Sequence, residues 1–596
     1  MRIVRLAAFT AVLVASTAFA AEPAPSAALQ KFFDRVFQED LRENPEVATL
    51  LGFEGYGDKL VDRSAAATER RKARVNARLA ELKRFDPKSL NTQDRISRDV
   101  MLDGLTRDAR VNETFGKLPF GADDSDSWLI ASPIQGVQDW FAVIAKTAPT
   151  RNAKDYEAYL KRLDALPLTF QQLTARLRVG MQSGWMPPRA VMSTVAAQIE
   201  PFTKGEPAES PMYAPFLAFP DTISAADQAA LAARGKRAVQ EKVQPTFAAF
   251  HAFVEREYIP AAPEAIAFSS RPAGPKGYAI AAEAGTTSTL TPREIHEIGL
   301  QEVARIRAEM EKVIASTGFK GTFADFQKFL REDPRFYFTK SEDMVAAYRD
   351  MAKRADAELP KFFAELPRLP YGVRAMDPRE GDNSDHYSRG ALDGTRAGFF
   401  EANANNLTKH PKYDMESTLL HEAVPGHHLQ IARAQELKGI PEFRRAGSYN
   451  AYQEGWALYA ESLGYEMGFY KDPYTRFGTL SNEMLRACRL AIDTGIHAFG
   501  WTREQSIKYL LDNSGVHDAY ATAEIDRYIA WPGQALGYKV GELKIKALRA
   551  KASAALGERF DLRRFHNAVL DDGPLPLAVL EARIDDWIRI EKGRKP

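Results

Sequence analysis

The residues with the most chemical potential lie close together. The segment Leu419–Gln430 reads Leu-Leu-His-Glu-Ala-Val-Pro-Gly-His-His-Leu-Gln and holds three of the chain's ten histidines, His421, His427 and His428. Neutral imidazole is the commonest side-chain metal ligand. In the ordinary zinc-peptidase pattern two histidines at i and i+4 stand about 6 Å apart along a helix and share one ion. Here position i+4 from His421 is Pro425, so the plain pattern fails. A regular helix would set His427 about 9 Å above His421 and on a different face. That is too far for a shared ion with Zn–N bonds of about 2.0–2.1 Å. Pro425 interrupts a helix and Gly426 tolerates unusual dihedrals, so a local bulge between them can carry His427 back towards His421. His428 is the rival: on a straight helix it shares the face of His421, about 10.5 Å along the axis.

A third ligand is available on the next helical stretch, Tyr452-Gln453-Glu454-Gly455-Trp456-Ala457-Leu458-Tyr459-Ala460-Glu461. Glu454 follows His427 by 27 residues, enough for one helix, a turn and an antiparallel return. Three protein ligands with an open fourth position is the catalytic zinc arrangement, and one Zn2+ is the expected cofactor. Zinc makes water a usable nucleophile near neutral pH. Glu422, next to the first ligand, is placed to take the water's proton and pass it to the leaving amine. The chain supplies its own control. His296-Glu297-Ile298-Gly299 looks similar, but Leu300 stands at i+4 and no histidine follows nearby, so it reads as an ordinary helix face.

The elements that must position these residues are mostly helices. Leu29, Phe32, Phe33, Val36 and Phe37 recur at helical spacing, Ala65–Phe85 reads as a charged Ala-rich helix, and Tyr156–Leu163 and Ala226–Glu257 continue the pattern. Thr291-Pro292-Arg293-Glu294 restarts a helix with an N-cap threonine, a proline at the first position and a capping-box glutamate. Ile259–Thr289, rich in Pro, Gly, Ala and Ser, reads as a lobe boundary or long crossing loop. Gly398–Asn406 reads as a short strand running into a loop, and Tyr413–Gln435 as largely helical.

A chain of 596 residues exceeds one usual core, so two or more lobes are expected. With 80 basic and 79 acidic residues the net charge is +1, which leaves no electrostatic footprint for nucleic acid. The single cysteine, Cys488, excludes an intramolecular disulfide and cysteine-rich zinc sites, and lies in a periodic apolar stretch that suits a core. The N-terminus carries Arg2 and Arg5, then an apolar run Leu6–Ser16, then Ala18-Phe19-Ala20. This is the pattern of a secretory signal cleaved after Ala20. No later run of about 20 apolar residues offers a membrane span, so no membrane association is expected after cleavage.

With its motif in view, the chain resembles a bacterial domain-of-unknown-function family marked by His-Glu-x-x-Pro-Gly-His and grouped with the zinc-peptidase clan. The resemblance covers most of the mature chain and is strongest over 399–548. Its supporting motifs stand here as Glu454–Glu461, Asp493-Thr494-Gly495-Ile496-His497, Glu524-Ile525-Asp526-Arg527-Tyr528 and Pro532-Gly533-Gln534-Ala535-Leu536. It implies that His427, preceded by Gly426, is the second ligand in preference to His428. More distantly the order of parts is similar to angiotensin-converting enzyme and related helical carboxypeptidases. That likeness implies that Tyr528 donates a hydrogen bond to the tetrahedral oxyanion, a sound stabilising role for a phenol. The two extra residues between the histidines depart from that enzyme's pattern. Around these, His497 and His517 are weaker candidates for assisting the transition state, and Asp493 for orienting a ligand. Phe400–Asn403 is a strand that a peptide backbone can join, and Glu461 is expected to pack or to pair with a cation one or two turns away.

The expected architecture is mainly α, with a signal over 1–20, a helical lobe over 21–275 and a catalytic metal-binding lobe over 276–596, around a deep cleft with a short strand element. The expected function is hydrolysis of short or unfolded peptides by an exported zinc metallopeptidase. The alternatives are a metal-dependent amidase on non-protein substrates and a catalytically silent periplasmic binding protein.

Overall fold

The computed structural model describes residues 23–594 apart from 117, 119–126, 135, 378–383, 392, 393 and 395. The signal segment and its cleavage point after Ala20 lie outside the described residues.

The fold is mainly helical, as the periodicity predicts. The N-terminal helix Ala27–Glu43 buries Leu29, Phe32, Phe33, Val36 and Phe37, the face read from spacing. One apolar core surrounds the long helix Ala153–Ser183 and draws in Phe141, Phe216, Phe247 and Tyr258. A second runs through the C-terminal half, from Ile295 and Tyr348 to Leu420, Trp456, Val540 and Ile584. Cys488, fully buried, belongs to a third with Ile306, Met484 and Ile525.

Eight helices frame the region of interest. These are α1 (Pro292–Ser316), α2 (Ser341–Phe362), α3 (Met415–Glu422), α4 (His427–Glu436), α5 (Asn450–Leu463), α6 (Pro473–Phe499), α7 (Asp518–Ala530) and α8 (Gly537–Leu556). α1 begins with the capping box read from Thr291 and Glu294. It packs tightly on α6 at Gly299, where a Cβ would come within 2.7 Å of the Ala491 nitrogen. Ile259–Thr289, expected as a boundary or loop, instead holds a helix, Gly274–Thr286, with Pro275 in its first turn. Two of its three glycines serve close packing, while Gly274 makes the turn into the helix at φ +58°. A Cβ on Gly277 would reach 2.7 Å from the Ala273 side chain, and one on Gly285 would collide with the Gly533 carbonyl at 2.0 Å.

The strand element is a three-stranded sheet of β1 (Tyr371–Ala375), β2 (His386–Ser388) and β3 (Gly398–Ala402) in the order β1-β3-β2. β3 runs parallel to β1, with Val373 opposite Phe400, and antiparallel to β2, with Tyr387 opposite Phe400. Phe400 packs edge-on against Tyr348 of α2 at 4.8 Å. The expectation that Phe400–Asn403 pairs with a peptide is therefore corrected. β3 is the central strand: it pairs with β1 over Gly398–Ala402 and with β2 over Phe399–Glu401, which leaves Phe400 and Glu401 no free edge.

The largest cavity described, about 1500 Å3, lies between the outer face of this sheet, at Arg374, His386 and Glu401, and the segments 49–58 and 146–162. His421, His427 and Glu454 do not line this cavity. Among the described residues no helix is long and apolar enough to cross a membrane.

Candidate metal centre

The helix carrying His421 stops at Glu422 and another starts at His427. Ala423 leaves helical geometry at φ −98°, ψ −106°, and Gly426 does so at φ −75°, ψ −128°. The Val424–Pro425 peptide between them is cis. A Cβ on Gly426 would stand 1.9 Å from the His421 carbonyl oxygen, so only glycine fits where the chain folds back. Trp456 Nε1 donates to the Pro425 carbonyl at 2.8 Å, which fixes the turn to α5.

This turn does what a straight helix cannot. The His421 and His427 rings come to 4.8 Å between centroids, nearly perpendicular at 88°. Glu454 arrives from α5: its Oε2 lies 3.5 Å from His421 Nε2 and 3.4 Å from His427 Nε2. One ligand atom from each of the three side chains falls within 4.8 Å of the others. Direct N–H···O bonds are usually 2.7–3.2 Å long. By contrast, tetrahedral bonds of about 2.0–2.1 Å to a common ion set ligand atoms roughly 3.3–3.4 Å apart. The two separations between Glu454 and the histidines lie close to the second value.

His421 is held from behind. Its Nδ1 lies 2.7 Å from Glu461 Oε1, the arrangement that fixes a metal-binding imidazole's tautomer and orientation. Glu461 is buried, as packing required, and besides this ring the Arg486 guanidinium stands 3.7 Å away. Seven residues separate Glu454 from Glu461, so both lie on one face of α5; that spacing was the available signal. Burial opposes charge on His421, but Glu454 and Glu461 outweigh it and lift the imidazole to about 9. Burial likewise opposes charge on Glu454, yet His427 and His421 hold it well below the usual carboxylate range. Burial raises Glu422, against the pull of the two histidines. Glu422 stands beside the group, with Oε1 3.9 Å from His421 Nε2.

His428 points elsewhere. It is buried, its Nδ1 meets the Tyr387 hydroxyl at 2.9 Å and its ring packs on Tyr371 at 4.6 Å. His296 is a helix-face residue, as read, bonded to Thr494 Oγ1 at 2.8 Å and packed on Phe499 and Trp501. His497 receives the Phe268 N–H at 3.0 Å and lies 3.0 Å from the Tyr528 carbonyl, a purely internal bracket. His517 sits at the start of α7, and its partial burial lowers its pKa. Asp493 does not orient a ligand. It accepts from the Tyr278 hydroxyl at 2.6 Å and from the Gly533 N–H at 3.1 Å. The Tyr528 hydroxyl donates to Glu524 at 2.5 Å and accepts from Arg489 Nε at 3.1 Å. It is thus engaged within an ionic cluster rather than presented to a reacting group.

A family profile for bacterial proteins of unknown function, DUF885, matches residues 45–584. The chain belongs to the DUF885 family. No functionally curated protein matches this DUF885 protein. Solved structures do, among them the following two. The "putative lipoprotein" from Colwellia psychrerythraea is 28% identical, with 94% of this chain and 99% of that chain covered at a TM-score of 0.88. The "putative lipoprotein of unknown function" from Shewanella oneidensis is 18% identical over the same shares at a TM-score of 0.71, a likeness of fold.

Proposed function

We propose that this DUF885 protein is an exported zinc-dependent peptidase acting on short or unfolded peptides. The observation that carries the reading is the spacing of His421 Nε2, His427 Nε2 and Glu454 Oε2, too long for direct hydrogen bonds and suited to three ligands of one cation. Two imidazoles and one carboxylate form a donor set that zinc accepts, and Glu461 behind His421 supplies the orienting partner such sites use. Zinc held there supplies Lewis acidity that makes water nucleophilic at neutral pH.

The chain's own residues then have distinct tasks. Glu422 is close to the ligands without being needed as one, and burial pushes its proton affinity up. Those are the properties of a group that takes a proton from water and returns it to the leaving amine. A site needed only to staple the fold would have no use for it. Export agrees with the N-terminal pattern of Arg2 to Ala20 and with the description of both structural relatives as lipoproteins.

The test joins metal content to turnover. Purified parent protein is expected to carry about one zinc per chain and to hydrolyse short peptides. Glu422→Gln should keep the zinc and lose 10²–10⁴-fold in rate, as expected for loss of a general acid–base. A variant as fast as the parent, or a parent without metal affinity, overturns the reading.

A further inference from the structure

Beside the metal candidates, α6, α7 and α8 bring together a group that the hydrolytic steps above do not use. Arg489 of α6 is buried, with 5% of its surface exposed. Its Nε donates to the Tyr528 hydroxyl at 3.1 Å and its Nη2 to Glu524 Oε2 at 2.9 Å, while its buried Nη1 has no hydrogen-bond partner. Glu524 also serves Arg527, at 3.1 and 3.2 Å. One carboxylate therefore answers two guanidinium groups, and one positive charge is left over in a buried setting. A buried donor without a partner beside unmatched charge calls for an explanation, and an anionic ligand supplies one.

The direction in which this donor is open can be read from its neighbours. The Arg489 guanidinium lies over the Tyr538 ring at 4.3 Å. Tyr538 opens α8 one turn before Gly541, whose Cα lies 2.5 Å from where a Cβ on Gly455 would stand. Gly455 follows Glu454 in sequence, so Tyr538 lies near both the arginine and the metal candidates, and the charges of Glu454 and Arg489 both act on it. Tyr520 of α7, another electrostatic neighbour of Arg489, keeps 37% of its surface exposed.

We propose that Arg489, flanked by Tyr520 and Tyr538, is a carboxylate-binding subsite that receives the C-terminal carboxylate of the substrate peptide, so that cleavage falls near that end. This rests on the peptidase reading given above. A guanidinium offers planar paired donors to a carboxylate, and the incoming charge balances the surplus left by Glu524. Phenol hydroxyls on either side can donate to the same group.

The experiment compares N-acylated short peptides that differ only in ending as a free acid or an amide. The expected result is a kcat/KM about 10²-fold higher for the free acid, the scale at which a site built around a polar group rejects its absence. Arg489→Gln should bring the acid down to the level of the amide with zinc content retained, assayed below the variant's melting temperature, and Tyr520→Phe should act in the same direction more weakly. If Arg489→Gln does not fold, the acid–amide comparison on the parent decides alone. Equal rates for acid and amide, or a faster amide, overturn the subsite and leave the peptidase standing. Hydrolysis of neither overturns both.

Discussion

Two kinds of buried histidine stand side by side in this molecule. His497 and His566 each have both ring nitrogens answered by neutral groups, Phe268 N–H and the Tyr528 carbonyl in one case, the Tyr459 hydroxyl and the Phe362 carbonyl in the other. His428 meets the Tyr387 hydroxyl and the Leu369 backbone. Burial pushes all three down, His497 and His428 to about 4 and His566 to about 3. His421 and His427 instead turn their Nε2 atoms to one carboxylate at distances longer than a hydrogen bond. His421 is as buried as the neutral set, and His427 is half-buried. What separates them is the group that Nε2 faces: a neutral partner in direct contact for His497 and His566, the Glu454 carboxylate at 3.4–3.5 Å for His421 and His427.

The sharpest way to break that contrast is to exchange the roles of neighbours. His427→Ala is expected to abolish zinc binding by elemental analysis, from about one ion per chain to background, while His428→Asn should retain zinc. Zinc lost from both variants alike would erase the distinction. Next in size is Gly426→Ala. The 1.9 Å clash with the His421 carbonyl cannot be relieved by a side-chain rotation, so the turn must open. A stability loss above about 4 kcal/mol, or insoluble protein, is expected in denaturant titration. Glu461→Gln should weaken zinc affinity by roughly 10–100-fold with the fold intact, measured by chelator competition.

The smallest effect concerns the neutral set. His497 titrates near 4 when folded and near 6.5 when unfolded. Between those values the unfolded chain binds a proton that the folded chain refuses. Its contribution is whole above pH 6.5 and is lost as pH falls towards 4. In His497→Gln the pH dependence of unfolding free energy across that window should become shallower by about 1.4 kcal/mol per pH unit. An unchanged slope would mean that His497 takes up its proton in the folded state.

Much of this was legible in the sequence and the rest was not, for identifiable reasons. Helical spacing at Leu29–Phe37 and the capping box at Thr291 carried over directly, because both are local. The turn at Pro425-Gly426 was readable as a necessity, since no straight helix joins His421 to His427. Its direction, which turns His427 inward and His428 towards Tyr387, depends on Trp456 and α5, beyond the reach of residue spacing. Composition misled at 259–289, where glycines that look like loop formers allow helices to touch. Tyr528 and Asp493 stand in motifs rich in chemical residues, yet their atoms are committed to Glu524, Arg489, Tyr278 and Gly533. Such commitments arise between α6, α7 and distant segments, and sequence separation hides them.

The meeting of Gly455 with Gly541 has a consequence for how this molecule tolerates change. With no side chain between them, the two main chains act as a fixed gauge block, and the offset of Glu454 from Tyr538 is set by covalent backbone rather than by adaptable packing. A single methyl inserted there would work as a wedge, prising the carboxylate away from both imidazoles while leaving every residue of the cluster in place.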